Sequence, residues 1–518
     1  MDTFKLFAMR NFLQFLLISG LVLIMSACAT PSPTPLSTPQ ENILFTSSPT
    51  SPASATIFQT PDLPQPTTTP IPLHRDPSPT PVDISNTLPL YKIEATLNYA
   101  QHHLAVDQQI LFTNQYDEPL SELLLVVEPA RYPGTFILEK ITWLDGSPID
   151  DFSREIGLLR IPLDDPLQPG GKTGISIAYE LDIPSPSPSY FGRPVPFGYS
   201  SRQTNLVDWY PFIPPYQPGN GWVAHQPGAF GEHLVYEVAD FEVNIQISDT
   251  NQDLLIAASA PGVSSGGWWQ YRLDAARNFS WSVSDQYELS TTTVDSILVL
   301  SYFFPIDSQA GEAVLRSTAE ALALYDDLFG PYPRQTLSVV EADFLDGMEY
   351  DGLYFLSKGF YNLYSGEPGD YLTAIAAHET AHQWWYSAVG NDQALEPWLD
   401  EALSTYCERL YYEKQQPLGL DWWWSYRINY YNPQGWVDGS IYNPQGYRAY
   451  RDAVYLNGAN FMEDLRDLIG DEAFFTFLKA YSKNFSQRIA TSDDFFALLG
   501  EYSQEDLSPL IAEYFKNR

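Results

Sequence analysis

The sequence predicts an α+β chain of more than one domain, an N-terminal all-β domain followed by a mainly helical domain with a small sheet. Three observations carry this. The chain has 518 residues, more than one core usually organises at about 150 residues per domain. From Tyr91 to about Val283, apolar and polar residues alternate in short runs split by Gly/Pro turns. After about residue 308 the apolar spacing becomes that of helices.

Composition narrows the function classes. Asp plus Glu number 64 against 27 Lys plus Arg, a net charge of −37. A protein that grips nucleic acid by neutralising phosphates needs a basic face, so nucleic-acid binding is excluded. Hydrophobic residues make up 44%, enough for a sizeable core. With two cysteines there is no disulfide framework.

Residues 1–27 read as an export signal. Lys5 and Arg10 form a positive start, residues 12–25 are mostly apolar, and Ser26-Ala27 precede Cys28. This arrangement resembles a bacterial lipoprotein lipobox, which implies lipidation at Cys28 and an extracytoplasmic, membrane-anchored location. An uncleaved membrane anchor is the alternative, and it too ties the chain to a membrane. Residues 28–87 form a Pro/Ser/Thr-rich, disordered stalk. Fourteen prolines fall between Pro31 and Pro81, and such a tract favours extended polyproline II over packing.

The β domain is expected over 88–287. Tyr91, Ile93, Ala95 and Leu97 alternate, and further strands are expected near 104–112, 123–127, 156–161, 174–179, 235–247 and 254–257. The second domain is expected over 288–518. Ala313, Leu315, Leu322, Tyr325 and Leu328 recur at helical spacing, and Gly330-Pro331 ends that helix. Residues 337–340 read as a strand. A second helix should open at Asp370 as N-cap and run towards Val389. A third should hold Pro397 in its first turn and run to about Tyr412. Helices at 459–468 and 473–481 follow. Tyr-Asn-Pro-Gln-Gly occurs twice, from Tyr431 and from Tyr442, and reads as an aromatic-packed surface loop.

The chemistry-bearing signal is His378-Glu379-Thr380-Ala381-His382, which uses two of only seven histidines. On a helix, positions i and i+4 share a face, so both imidazoles can meet one Zn²⁺. Glu379, beside the first ligand, can take the proton of a water as it attacks a carbonyl. A catalytic zinc needs a third protein ligand and an open position. Glu401, separated from His382 by 18 residues and set in Trp398-Leu399-Asp400-Glu401, supplies it from the next helix. One Zn²⁺ per chain is therefore expected.

His-Glu-x-x-His, 18 residues and Glu in a Trp-Leu-Asp-Glu setting resembles the aminopeptidase N and leukotriene-hydrolase group of gluzincin metallopeptidases. Two more segments are similar. Asp346-Gly347-Met348-Glu349-Tyr350 matches the family's Gly-x-Met-Glu-Asn, with Asp and Tyr replacing the outer residues. Tyr455-Leu456-Asn457-Gly458 matches its Tyr-x-Lys-Gly, with Asn457 in place of Lys. The resemblance implies a saddle-like β-sandwich ahead of a thermolysin-like catalytic domain. It implies Glu379 and Tyr455 as catalytic residues, Tyr455 donating to the oxyanion, although Tyr447 and Tyr450 lie close in sequence. It implies substrate binding by Gly347, Met348 and Glu349, with Glu349 on the free α-amino group and Gln203 as a second amine ligand. The large C-terminal helical domain of most family members is expected to be missing, which would leave the cleft more open.

The expected function is a zinc aminopeptidase at the cell envelope, acting on peptides with a free N-terminus. A non-catalytic, envelope-anchored binding lipoprotein of the same fold, or a zinc endopeptidase, are the alternatives.

Overall fold

The structure, a computed structural model, describes residues 88–185, 196–250 and 253–518. Cys28, the signal at 1–27 and the stalk at 28–87 lie outside the described residues. Among the described residues no helix is long and apolar enough to cross a membrane.

The first half is a β-sandwich. Its main sheet has seven strands, with Leu90–Asn98 near the middle. That strand pairs antiparallel with His103–Thr113 and parallel with Ala239–Ser248. Tyr91, Ile93, Ala95 and Leu97 all point into one core, as a period of two requires when one face is buried. A three-stranded sheet (Leu120–Val126, Leu158–Leu167, Ser153–Glu155) adds Leu123, Leu125 and Ile161 to the same core. A four-stranded sheet contributes Leu206, Trp281 and Val283.

The second half opens with a five-stranded sheet in the order Glu288–Val294, Ile297–Phe303, Thr336–Ala342, Leu353–Ser357, Gly347–Tyr350. The last strand lies at the edge and runs antiparallel to its neighbour. The helix Ser308–Phe329 buries Val314, Leu322, Tyr325 and Phe329, and ends at Gly330, whose φ of 108° suits glycine. Its core extends over the later helices, including Gly458–Ile469 and Asp471–Phe485. Met348 and Tyr350 of the edge strand pack instead into the core of the β-sandwich. That edge strand is thus gripped from both halves of the molecule.

One helix boundary differs from expectation. The motif helix spans Tyr371–Ala381 and does not continue to Val389. Asp370 caps its start, its side chain accepting from Thr373 N at 2.9 Å. At its end the chain folds back so that Trp384 and Trp385 become fully buried, and Tyr386 takes a φ of 133°. Burial of two indoles outweighs continued helical hydrogen bonding. The third helix, Trp398–Lys414, begins just after Pro397, which serves as its N-cap.

Candidate active site

The motif helix and Trp398–Lys414 cross so that three buried side chains converge. His378 Nε2 lies 3.1 Å from His382 Nε2 and 3.2 Å from Glu401 Oε2, and His382 Nε2 lies 3.6 Å from the same oxygen. The outer ring nitrogens are tied to acceptors. His378 Nδ1 donates to Glu408 Oε1 at 3.0 Å, and His382 Nδ1 to the Trp385 carbonyl at 3.0 Å. With each Nδ1 turned outward, both Nε2 atoms and the Glu401 carboxylate face one point, an arrangement that a cation there, a shared proton or a metal ion, satisfies.

The spacing suits a metal ion. Tetrahedral ligands at 2.0–2.1 Å from zinc stand ~3.3 Å apart, close to the three separations above. The acid-rich surroundings act the same way. Burial raises the Glu401 carboxyl, but hydrogen bonds from both histidines outweigh it and hold the acid well below its ordinary range. Burial lowers His378, yet Glu401 and Glu408 push it up to about 9. His378, His382 and Glu401 therefore form a cluster that could hold a metal ion. Glu408 in turn accepts from Trp423 Nε1 at 2.8 Å and from Arg427 at 2.7 and 2.9 Å, which fixes the carboxylate behind His378.

Around this cluster is a cavity of about 450 Å³ lined by Glu379, Glu349, Gly347, Met348 and Tyr455 as well as the three cluster residues. Glu379 is buried, and its Oε2 has no hydrogen-bond partner among the described residues. Desolvation pushes its acid up to about 8. Tyr455 donates to Glu401 Oε1 at 2.6 Å and stacks parallel to His378. Burial first, then the charge of Glu401, holds its phenol well above the ordinary value, so it remains a donor.

Glu349 sits beside His382. Gln393 Nε2 donates to Glu349 Oε1 and to Asp400 Oδ2, both at 3.0 Å. Loss of hydration raises both acids, and the remaining negative charge near Glu401 adds to it for Asp400. Two buried carboxylates bridged by one amide make a site for a positive charge. Glu349, His382 and Asp400 form a second group whose ligand atoms are close enough for a metal ion, sharing His382 with the first.

Gln203 is the expected site residue that the structure does not bring here. Its carboxamide is buried and spent elsewhere, donating to Tyr287 Oη at 2.5 Å and the Glu341 carbonyl at 3.0 Å, and accepting from Asp343 N at 2.7 Å. It ties the β-sandwich to the central strand of the catalytic sheet. Conversely, Glu408, Gln393 and Asp400 were not singled out from the sequence. Glu408 lies seven residues after Glu401, two helical turns on the same face, and that spacing is a signal. Gln393 lies in a loop and carried none.

Residues 314–514 match the family model described as the Peptidase family M1 domain. Those residues form an M1 peptidase domain. It is similar to Aminopeptidase M1-B of Oryza sativa subsp. japonica, 26% identical over 242 residues, which are 44% of this chain and 28% of that one. It is also similar to Endoplasmic reticulum aminopeptidase 2 of Homo sapiens, 27% identical over 238 residues, 42% of this chain and 24% of that one. The matched region is thus about a quarter of the length of these curated relatives. The fold of this chain is similar to that of an M1 zinc metallopeptidase from Deinococcus radiodurans, with a TM-score of 0.61 at 19% identity over 83% of this chain and 94% of that chain. A mutant of that protein bound to a Tyr-ser-ala substrate gives 0.60 at 18% identity over the same shares.

Proposed function

We propose that this protein is a zinc-dependent aminopeptidase that removes N-terminal residues from peptides. The observation that carries the reading is the buried Glu349 carboxylate, paired through Gln393 with Asp400, in the same cavity as the His378/His382/Glu401 cluster. A free α-ammonium is the substrate group that matches that pair, with charge-assisted hydrogen bonds. It would fix the first peptide bond over the cluster.

A zinc ion held by His378, His382 and Glu401 would polarise the scissile carbonyl and make water nucleophilic near neutral pH. Glu379 takes the proton of the attacking water on its free Oε2 and later delivers it to the leaving nitrogen. Tyr455 turns its O–H from Glu401 to the carbonyl oxygen as negative charge grows there, so it favours the transition state over the bound peptide. Glu408 holds the His378 ring in place, and Trp385 and Ser404 do so for His382.

The same reading places the protein outside the cytoplasm, anchored through lipid on Cys28. Its support is the signal-like residues 1–27 alone, and metabolic labelling with palmitate tests it, with loss of label expected in Cys28→Ser.

Alanine p-nitroanilide and a free tripeptide, set against the same tripeptide N-acetylated, test the aminopeptidase assignment. Free substrates should be cleaved and the blocked one spared, with Glu349→Gln raising KM for the free ones. Equal cleavage of the blocked peptide would make the protein an endopeptidase.

A further inference from the structure

We propose that Arg451 recognises a carboxylate on the leaving-group side of the substrate, so that the cleft selects short peptides bearing an anionic group beyond the scissile bond. The inference rests on the aminopeptidase reading and specifies its substrate class.

The cleft carries charged side chains set among apolar ones such as Phe230, Leu345 and Phe360. The charges acting most on Glu349 are His382, Glu401 and His378. Those acting on Tyr447 are Asp346, Arg451, Arg427 and Glu401. Glu349 sits beside His382 at one end of the motif helix, whereas Tyr431, over which Arg451 lies, meets Tyr371 at the other end, so Arg451 stands across the metal-binding cluster from an ammonium held at Glu349. Arg427 and Arg451 both line the cavity, in a protein with only 27 basic residues against 64 acidic ones.

The two arginines are not equivalent. Arg427 is committed to Glu408 by two hydrogen bonds, and its charge also acts on Asp346. Arg451 engages Asp452 through Nε, at 3.0 Å, and Nη2. Its Nη1 has no hydrogen-bond partner among the described residues. A guanidinium has five N–H donors, so one edge remains for a ligand. Its central carbon lies 4.0 Å from the centre of the Tyr431 ring. Tyr431 is within 3.4 Å of the Tyr371 hydroxyl, so the stacking plane is itself held. A stacked, planar guanidinium presents that edge with little rotamer freedom left to lose.

The repeated pentapeptide finds a role here. Tyr431 opens the first copy and Tyr447 follows the second, and both rings line the cavity that Arg451 lines. The surface-loop expectation holds for Trp436, Tyr442 and Tyr447, which are exposed, whereas Tyr431 is half-buried against the cavity wall. Arg451 stands four residues before Tyr455, so its guanidinium belongs to the same stretch of helix as the oxyanion donor. A cavity of about 450 Å³ is of small-ligand size, as recognition of both ends of a short peptide requires.

Carboxylate can come from the chain terminus or from an Asp or Glu side chain. Three peptides separate these: trialanine, trialanine amide and Ala-Asp-Ala amide. Binding is measured calorimetrically on zinc-loaded Glu379→Gln protein, and kcat/KM on the wild type, each with Arg451, Arg451→Lys and Arg451→Gln. Trialanine or Ala-Asp-Ala amide should bind about ten-fold better than trialanine amide, the size of one charge-assisted hydrogen bond. The preference should shrink in Arg451→Lys and vanish in Arg451→Gln. Equal binding of all three with Arg451 present, or a preference that survives Arg451→Gln, overturns the assignment. Should the binding preference hold while no peptide is cleaved, the aminopeptidase reading fails and the carboxylate site stands.

Discussion

Gly347 shows how closely single residues are fitted at the site. A Cβ built on it would overlap Glu379 Oε1 and press on Ile375 Cγ2 at 3.1 Å. The missing side chain is what allows the proton-accepting carboxylate to lie against the edge strand. Gly347→Ala should therefore lower kcat by about a hundred-fold through displacement of Glu379, with thermal stability nearly unchanged. Steady-state kinetics and melting curves check both halves of that statement. Glu408 acts on the metal-binding cluster through His378. Glu408→Gln should weaken zinc binding about 10- to 100-fold, read by competition with a coloured chelator. It should also lower the melting temperature, because Arg427 is left buried with its charge uncompensated. The sequence disclosed His378, Glu379, His382 and Glu401 because their spacing is local or recurs one helix later. It did not disclose Gln393 or Asp400, whose importance comes only from a long-range meeting with Glu349.

Among elements, the motif helix, its Glu401 partner and the edge strand do the positioning. Strong periodicity made the strand near Tyr91 and the helix around Leu322 legible, since one buried face imposes a period. The end of the motif helix was not legible. Val389 continues the apolar pattern, but burial of Trp384 and Trp385 in the tertiary core decides where the helix stops. Gln203 was misplaced for a related reason: a polar residue close to a motif position was read as a ligand, whereas it is a buried bracket between sheets. Asp343 belongs to that same joint. It accepts from Arg202 Nε at 3.2 Å and Ser200 Oγ at 2.8 Å, and pairs with Lys358 at 3.0 Å. Burial raises its acid, but these partners outweigh burial and bring it down to about 2 from an ordinary 3.8. A depressed carboxyl stabilises the fold above its unfolded value, and that contribution fades as pH falls from about 4 towards 2. Asp343→Asn should cost about 1 kcal/mol at pH 7, discounted because the group and its Lys358 partner are partly open to solvent. In urea titrations across pH, the gap between variant and wild type should close at the acid end.

At the scale of the whole molecule, two cores meet along the edge strand Gly347–Tyr350. Its Met348 and Tyr350 are held by the sandwich, while Glu349 and Gly347 face the helices. The β domain is therefore a structural wall of the cleft, and the position of Glu349 depends on both halves. Binding of an ion to helices that the fold already brings together adds to stability in proportion to ln(1 + [zinc]/Kd).

X-ray absorption at the zinc edge on the loaded, full-length protein tests the central claim most directly. One zinc per chain is expected, with two imidazole nitrogens and oxygen neighbours at about 2.0–2.1 Å and the signal lost in His382→Ala. A protein that binds no zinc after loading, or whose zinc environment is unchanged in His382→Ala, would contradict it.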